Sequence, residues 1–169
     1  RLSVAVENDR IMLEGRGQYQ NIPLQFTLRS DQADDIFLSV DVPDNDRITT
    51  YLASSMGVPI SGSASAKIMT NFRPSQDVIR LKIEADLANS GFHLPLVNFA
   101  KLPGEAGAAN LILEIENDRI RAIDDLNLTL GSLSTEGRLF FGESMLPKAG
   151  ILQHITMPGY DIDEFAFEQ

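Results

Sequence analysis

The sequence predicts a mainly β fold: an antiparallel sheet of tandem hairpins with one apolar face, plus one short helix. The first observation is that apolar and polar residues alternate with period two along most of the chain, most regularly at residues 79–87. The second is that the pentapeptide Glu-Asn-Asp-Arg-Ile occurs at residues 7–11 and again at 116–120. One-sided alternation is typical of antiparallel sheets, because parallel strands buried on both faces lack polar partners.

We predict that each copy of the pentapeptide forms the tip of a β-hairpin. If Asn-Asp is the two-residue tip, Glu7 faces Arg10, and Glu116 faces Arg119 in the second copy. Asn and Asp tolerate the positive φ that such tips need. An opposite-charge pair and an aliphatic pair then fix the register, each contributing roughly 0.2–1 kcal/mol. Because the unit is used twice, the sequence predicts an extended or repetitive β architecture.

Strands are expected at residues 1–43 and 58–169, separated by a short helix at 44–57. The helix follows from apolar residues at helical spacing between Ile48 and Met56, with Asp44 or Asn45 as N-cap and Gly57 after its end. A single long strand is expected from residue 60 to residue 72. Residues 90–107, with two prolines and three glycines, are expected to form an irregular loop.

One carboxylate disturbs the alternation in the second half of the chain. Asp124 falls on the apolar parity between Ala122 and Leu126. Since an unpaired buried charge is costly, a β-bulge at Asp124 and Asp125 is a better explanation than a carboxylate inside the apolar layer.

Composition excludes several classes of function. The net charge of −10 argues against nucleic acid and anionic membrane surfaces as partners, since both select patches of Lys and Arg. There is no cysteine, and neither His93 nor His154 has a second ligand at metal-binding spacing. The sequence shows no nucleophile elbow, and its carboxylates are too scattered to form an acid–base couple. We therefore expect a protein that is not an enzyme and that carries no cofactor and no metal.

The same alternation also fits a second architecture, the core of a compact β-sandwich. Such a domain would be a binding module that recognises a protein or glycan through its loops, with Phe72, Phe92 and Phe99 as candidate contact residues. Two observations favour the extended sheet instead. The apolar positions are mainly aliphatic, and the chain has no Trp to anchor a compact core.

The segment Lys-Leu-Pro-Gly-Glu-Ala-Gly at residues 101–107 begins a family resemblance. Together with the strands at 108–115 and 119–130 and the Gly-centred strand at 134–141, it resembles the AsmA-like superfamily. The YhdP-type branch is the most similar, and TamB is a more distant relative. The resemblance is clearest over residues 60–141. It departs from the family pattern at Leu102, which separates Lys101 from Pro103 where the family often has them adjacent.

The resemblance implies that residues 1–169 are a single segment of a larger repetitive β protein. Members of this superfamily are anchored in the inner membrane of Gram-negative bacteria and extend across the periplasm. Their sheet curves like a taco around an apolar groove that shelters phospholipid acyl chains for transport between inner and outer membrane. The expected partners are thus phospholipid acyl chains and the inner membrane, the latter through an anchor outside this segment. Outer-membrane or periplasmic proteins are further candidates.

A groove of this kind needs an apolar lining rather than a catalytic residue. We expect the lining to come from the apolar positions of the alternating strands in the region of resemblance: Ile79, Leu81, Ile83, Leu87, Leu111, Leu113, Ile115, Leu126, Leu128, Leu130, Leu139 and Phe141.

Overall fold

The computed structural model describes the chain except for residues 1, 8–9, 31–34, 57, 74–75, 95–98, 143–146 and 169. Alternating residues form strands along most of this length, and one helix, α1 (Asp46–Met56), follows the fourth strand. The strands are β1 (Leu2–Glu7), β2 (Arg10–Tyr19), β3 (Ile22–Ser30), β4 (Ile36–Asn45), β5 (Ile60–Gly62), β6 (Ala64–Phe72), β7 (Val78–Asp86), β8 (Ser90–Leu94), β9 (Phe99–Lys101), β10 (Gly107–Glu116), β11 (Arg119–Leu130), β12 (Leu133–Phe141), β13 (Pro147–Met157) and β14 (Tyr160–Glu168).

The predicted fold class is confirmed. Eleven strands form one curved, open antiparallel sheet of consecutive hairpins, in the order β1-β2-β3-β4-β6-β7-β10-β11-β12-β13-β14. The remaining strands form a small sheet in the order β5-β8-β9. Within the described ranges, no second sheet of comparable size packs on the large one. The arrangement is therefore not the compact sandwich that the alternation also allowed.

Both pentapeptide hairpins have the predicted register. Glu7 pairs with Arg10 between β1 and β2, and Glu116 pairs with Arg119 between β10 and β11. At the second tip, Asn117 and Asp118 have φ of 51° and 60°, as a two-residue hairpin turn requires. The first tip, residues 8–9, lies outside the described residues.

The short helix is confirmed, and Asn45 is its N-cap. The Asn45 Oδ1 atom accepts hydrogen bonds from the backbone N–H groups of Arg47, at 3.1 Å, and Ile48, at 3.3 Å. These are two of the amides that a helix leaves unpaired at its start. The expected residue after its end, Gly57, lies outside the described residues.

Two expectations about strands were wrong. The run from 60 to 72 is not one strand, because Gly62 has a φ of 77° and a Cβ there would lie 2.1 Å from the Asn89 carbonyl oxygen. The chain therefore leaves the small sheet after β5 and enters the large sheet at β6. Residues 90–107 are not simply irregular, because β8 and β9 lie within them and complete the small sheet. The composition of these strands does not indicate them: β8 forms by pairing with distant β5, and β9 forms by pairing with β8.

The bulge predicted near Asp124 is present. The pairing of β11 shifts register between Ile123 and Leu126, and Asp125 has a φ of 48°. The extra residue changes the parity of the strand, so that Asp124 lies opposite Ile112 and Ile123 lies opposite Leu113. The carboxylate is consequently on the opposite face of the sheet from Leu126, and Ile123 takes a place on the apolar face.

Candidate functional site: an open apolar face

The large sheet carries one continuous row of paired residues that crosses ten of its strands, from β2 to β14. Directly paired residues on antiparallel strands lie on the same face, so this row defines an apolar face and an opposite, polar face. Every member is half-buried except Gly150, which is buried. The row, called the central row below, is Leu13, Leu28, Leu38, Thr70, Leu81, Leu113, Ile123, Leu139, Gly150 and Phe167.

A second, shorter row runs beside the central row and crosses the strands from β3 to β10. It comprises Phe26, Val40, Ile68, Ile83 and Leu111, each paired with the next and each half-buried. Among the residues that the structure describes, no layer covers these two rows. Large contiguous apolar patches are rare on the free surface of soluble proteins and mark ligand grooves or interaction sites.

In the described part of the chain, one margin of the apolar face is covered. A cap, consisting of α1, β5, β8 and β9, lies where β7 and β11 end and β6, β10 and β12 begin. Phe99 of the cap is buried with residues of that margin in a core cluster, and Ile48 and Phe92 of the cap pack against it. The core cluster is Ala64, Leu87, Phe99, Leu130 and Leu133. The small side chains of Ala85 and Ala109, which pair with each other on the face, also pack against this cluster.

The twelve residues predicted to line the groove all lie on the apolar face, by strand alternation and register. They do not share one environment. Leu87 and Leu130 are 7% and 6% exposed and belong to the core cluster, and Leu128 packs against it. Ile79 is 36% exposed, and the other eight are half-buried. The uncovered part of the face therefore holds nine of the twelve.

Sequence reasoning missed part of this surface. Ile123 was not among the predicted lining residues, because the bulge that places it there changes the parity of β11. The apolar positions of β2 to β6 were also omitted, although they show the same alternation and continue the same rows. The signal that could have found them is the uninterrupted alternation itself.

The cap is attached to the sheet by a buried lysine, Lys101, the first residue of the segment that carries the family resemblance. Lys101 is 1% exposed, and its ammonium donates hydrogen bonds to the backbone carbonyls of Ser90 at 2.7 Å, Ala88 at 3.0 Å and Leu102 at 3.2 Å. Three carbonyls thus satisfy the three donors of the ammonium group. Because Ala88 lies in the turn that follows β7, this contact joins the small sheet to the large one.

The Lys101 side chain occupies a confined space. Burial lowers the pKa of Lys101 from its ordinary value, and the nearby carboxylates of Glu105 and Asp86 oppose that shift. Gly107 packs closely against the lysine, since a Cβ at this position would lie 2.6 Å from Lys101 Cε and 2.5 Å from the Leu87 carbonyl oxygen. The lysine and glycine of the segment therefore have structural roles at the junction of the two sheets.

The polar face holds the carboxylate that the bulge displaces. Asp124 is 9% exposed and forms ion pairs with Arg138 and, at 3.6 Å, with Arg80. The Arg80 Nε atom is also 3.3 Å from Glu114 Oε1. The buried charge is therefore paired on both sides, as an ion in a partly dry environment must be.

Three hydroxyl side chains interrupt the apolar face between β2 and β12: Ser30, Thr70 and Thr135. Ser30 Oγ accepts a hydrogen bond from the Ile11 N–H at 3.0 Å, and Thr135 Oγ1 donates to the Gln153 carbonyl at 3.1 Å. Thr70 Oγ1 is shielded from solvent and has no hydrogen-bond partner in the described part of the chain. Only Thr70 of these three stands in the central row.

The described residues offer no alternative site with recognisable chemistry. No group of three or more His, Cys, Asp or Glu side chains within them is placed to hold a metal ion. Of the aromatic residues considered for a sandwich module, Phe99 is buried in the core cluster, Phe92 packs against that cluster, and Phe72 is half-buried and pairs with Ile36 on the apolar face. None of the described helical residues forms a stretch with the length and hydropathy needed to cross a bilayer.

Comparison with known proteins adds no relative. No protein-family model, no curated protein and no solved structure matches this chain.

Proposed function

We propose that the chain shelters phospholipid acyl chains on the uncovered part of its apolar face, as a non-enzymatic segment of a periplasm-spanning envelope protein. The observation that carries the proposal is the central row, which continues across ten strands and which no layer of described residues covers. The direction of the central row, across the strands rather than along one of them, matters as much as its composition. A row that crosses neighbouring strands forms a path, whereas a single pocket would hold a ligand in one place.

The energetics suit transport along such a path. Each acyl CH₂ group removed from water gains about 0.8 kcal/mol, so ten such groups gain roughly 8 kcal/mol without any polar contact. The central row is mostly Leu, and its members from Leu81 to Leu139 differ little in shape and polarity. A lipid tail can therefore move from one position to the next without leaving a deep energy minimum.

The cellular setting is part of the proposal and rests on the resemblance at residues 101–107. In this setting the segment lies in the periplasm of a Gram-negative bacterium, its parent protein is anchored in the inner membrane, and phospholipid passes between inner and outer membrane. The net charge of −10 supports acyl chains rather than anionic headgroups as the main contact.

The test is lipid capture by the purified chain. Organic extraction followed by mass spectrometry should recover phospholipid from the wild type. Leu81→Asp places a charge in the central row, on the uncovered part of the face, and should abolish lipid recovery while the circular dichroism spectrum remains that of the folded protein. The control is Lys82→Asp, the same replacement at the next residue, whose exposed side chain lies on the polar face. It should leave lipid recovery unchanged.

Two outcomes contradict the proposal. The first is a wild-type protein that yields no lipid after expression in a bacterium with a normal envelope. The second is a Leu81→Asp variant that unfolds, because Leu81 would then act as an ordinary core residue rather than as part of a lining.

A further inference from the structure

Thr70 differs from every other side chain of the central row. It lies between Leu38 on β4 and Leu81 on β7, and all the remaining members of the row are apolar. Its hydroxyl oxygen is shielded from water and has no hydrogen-bond partner among the described residues. Buried polar groups are nearly always paired, because an unpaired one loses its hydrogen bonds to water without compensation.

The two other hydroxyls on the apolar face show that this is not a general property of the sheet. Ser30 and Thr135 both reach backbone partners, at 3.0 Å and 3.1 Å. A Val at position 70 would have nearly the same shape as Thr and a high preference for strands. A Thr without a protein partner is therefore best explained by a partner that belongs to the ligand.

We infer that Thr70 binds the ester carbonyl of an acyl lipid that lies on the apolar face. The inference rests on the proposed function and specifies the chemistry of its ligand. A hydroxyl is a good donor to an ester carbonyl oxygen, and that oxygen is the first polar atom at the end of an acyl chain. A change of one χ1 rotamer moves the Thr70 hydroxyl from its shielded position to another side of the residue.

A hydrogen bond to Thr70 gives a bound lipid one preferred position along the central row. Aliphatic neighbours accept any part of a hydrocarbon chain equally, whereas a hydrogen-bond donor distinguishes the point at which the chain joins the rest of the lipid. Thr70 thus selects lipids with ester-linked chains over pure hydrocarbons and over ether-linked chains of the same length. It also places the ester linkage near β6, with the acyl chain along the rows on either side.

The experiment compares two phosphocholines with equal chain lengths, one with ester-linked and one with ether-linked chains. Their affinities for the delipidated full chain are measured by titration calorimetry. We expect the wild type to bind the ester lipid about three- to tenfold more tightly, the range that corresponds to one net hydrogen bond. Thr70→Val should bind both lipids with the affinity of the wild type for the ether lipid. Without lipid, this variant should melt at a higher temperature than the wild type.

Three further variants make the result specific. Thr135→Val removes a hydroxyl from the same face, but one that has a backbone partner, and it should keep the preference for ester lipid. Thr70→Ser keeps a hydroxyl at the position and should also keep the preference. Thr70→Ala removes the hydroxyl, should lose the preference, and serves as the test if Thr70→Val does not fold. Equal affinity of the wild type for both lipids, or a preference that persists in Thr70→Val, overturns the assignment of Thr70 alone. Absence of binding to either lipid overturns the proposed function and this inference with it.

Discussion

The covered margin and the uncovered part of the apolar face belong to the same sheet and have similar apolar residues, yet they differ in how they are completed. At the margin, the cap supplies Phe99, and the core cluster excludes solvent. Elsewhere on the face, residues of the same type, such as Leu113, remain half-buried. The comparison teaches that alternation determines which face of a sheet is apolar, whereas the packing of other elements determines whether that face becomes a core or a binding surface.

The largest loss of stability is expected from a substitution at the junction between the cap and the large sheet. Lys101→Met would leave the carbonyls of Ala88, Ser90 and Leu102 without the ammonium donor. The Ala88 and Leu102 carbonyls keep the backbone N–H groups of Gly104 and Glu105 as donors, so the variant loses three hydrogen bonds to a charged group rather than creating three unpaired acceptors. Since a hydrogen bond to a charged group contributes about 1.5–3 kcal/mol, we expect the free energy of unfolding to fall by about 3 kcal/mol or more. Urea denaturation measures the free energy of unfolding of the variant and of the wild type. Lys82→Met, at an exposed lysine of the polar face, should change it by less than about 1 kcal/mol. Equal losses of stability in the two variants would show that the hydrogen bonds of the buried Lys101 ammonium do not stabilise the fold.

A smaller loss of stability should distinguish the covered margin from the uncovered part of the apolar face. Leu130→Ala removes a side chain from the core cluster and should cost about 2–5 kcal/mol, the usual range for a buried leucine. Leu113→Ala makes the same change on the uncovered part of the face, where solvent already reaches the side chain, and should cost roughly 1 kcal/mol. Thermal and urea unfolding of both variants give the comparison. A loss at Leu113 as large as that at Leu130 would mean that the face is covered in solution.

The smallest effect on stability concerns the ion pair between Arg73, which follows β6, and Asp35, which precedes β4. A hydrogen bond from Arg73, with a lesser contribution from its charge, lowers the pKa of Asp35 below its ordinary value of 3.8. A carboxylate with a lowered pKa in the folded state stabilises the protein above its ordinary pKa, and this contribution disappears as the pH falls through the lowered pKa. The melting temperatures of wild type and Asp35→Asn should therefore differ slightly at pH 6 and converge in strong acid. A difference in melting temperature that is independent of pH would contradict a lowered pKa for Asp35.

Much of the fold follows from local patterns. The hairpin register at Glu116 and Arg119 and the helix start at Asn45 depend on residues close in sequence, and both were predictable. The bulge was predictable because Asp124 could not stay on the apolar parity without a partner. Its effect on Ile123 was not, since a change of parity becomes visible only in the pairing with β10 and β12.

The cap shows where sequence patterns are insufficient. Its strand β8 pairs with β5 although β6 and β7 lie between them in the chain, and no local pattern encodes such a pairing. Lys101 likewise gives no sign in the sequence that three carbonyls surround its ammonium. The lining was predicted as a face but not as two regions, because Leu87 and Leu113 have the same local pattern. Their difference arises only from the position of Phe99 and its neighbours.

The strand order has a consequence for how the chain acquires its structure. Strands of the large sheet pair in the order in which they occur, and only the cap elements intervene between β4 and β6 and between β7 and β10. Contacts between neighbours in sequence lose little chain entropy on closure and form quickly. We therefore expect hairpins to form and join one after another, from several starting points, during folding. The cap, which requires β5, β8 and β9 together, should form late, after the apolar face that it partly covers already exists.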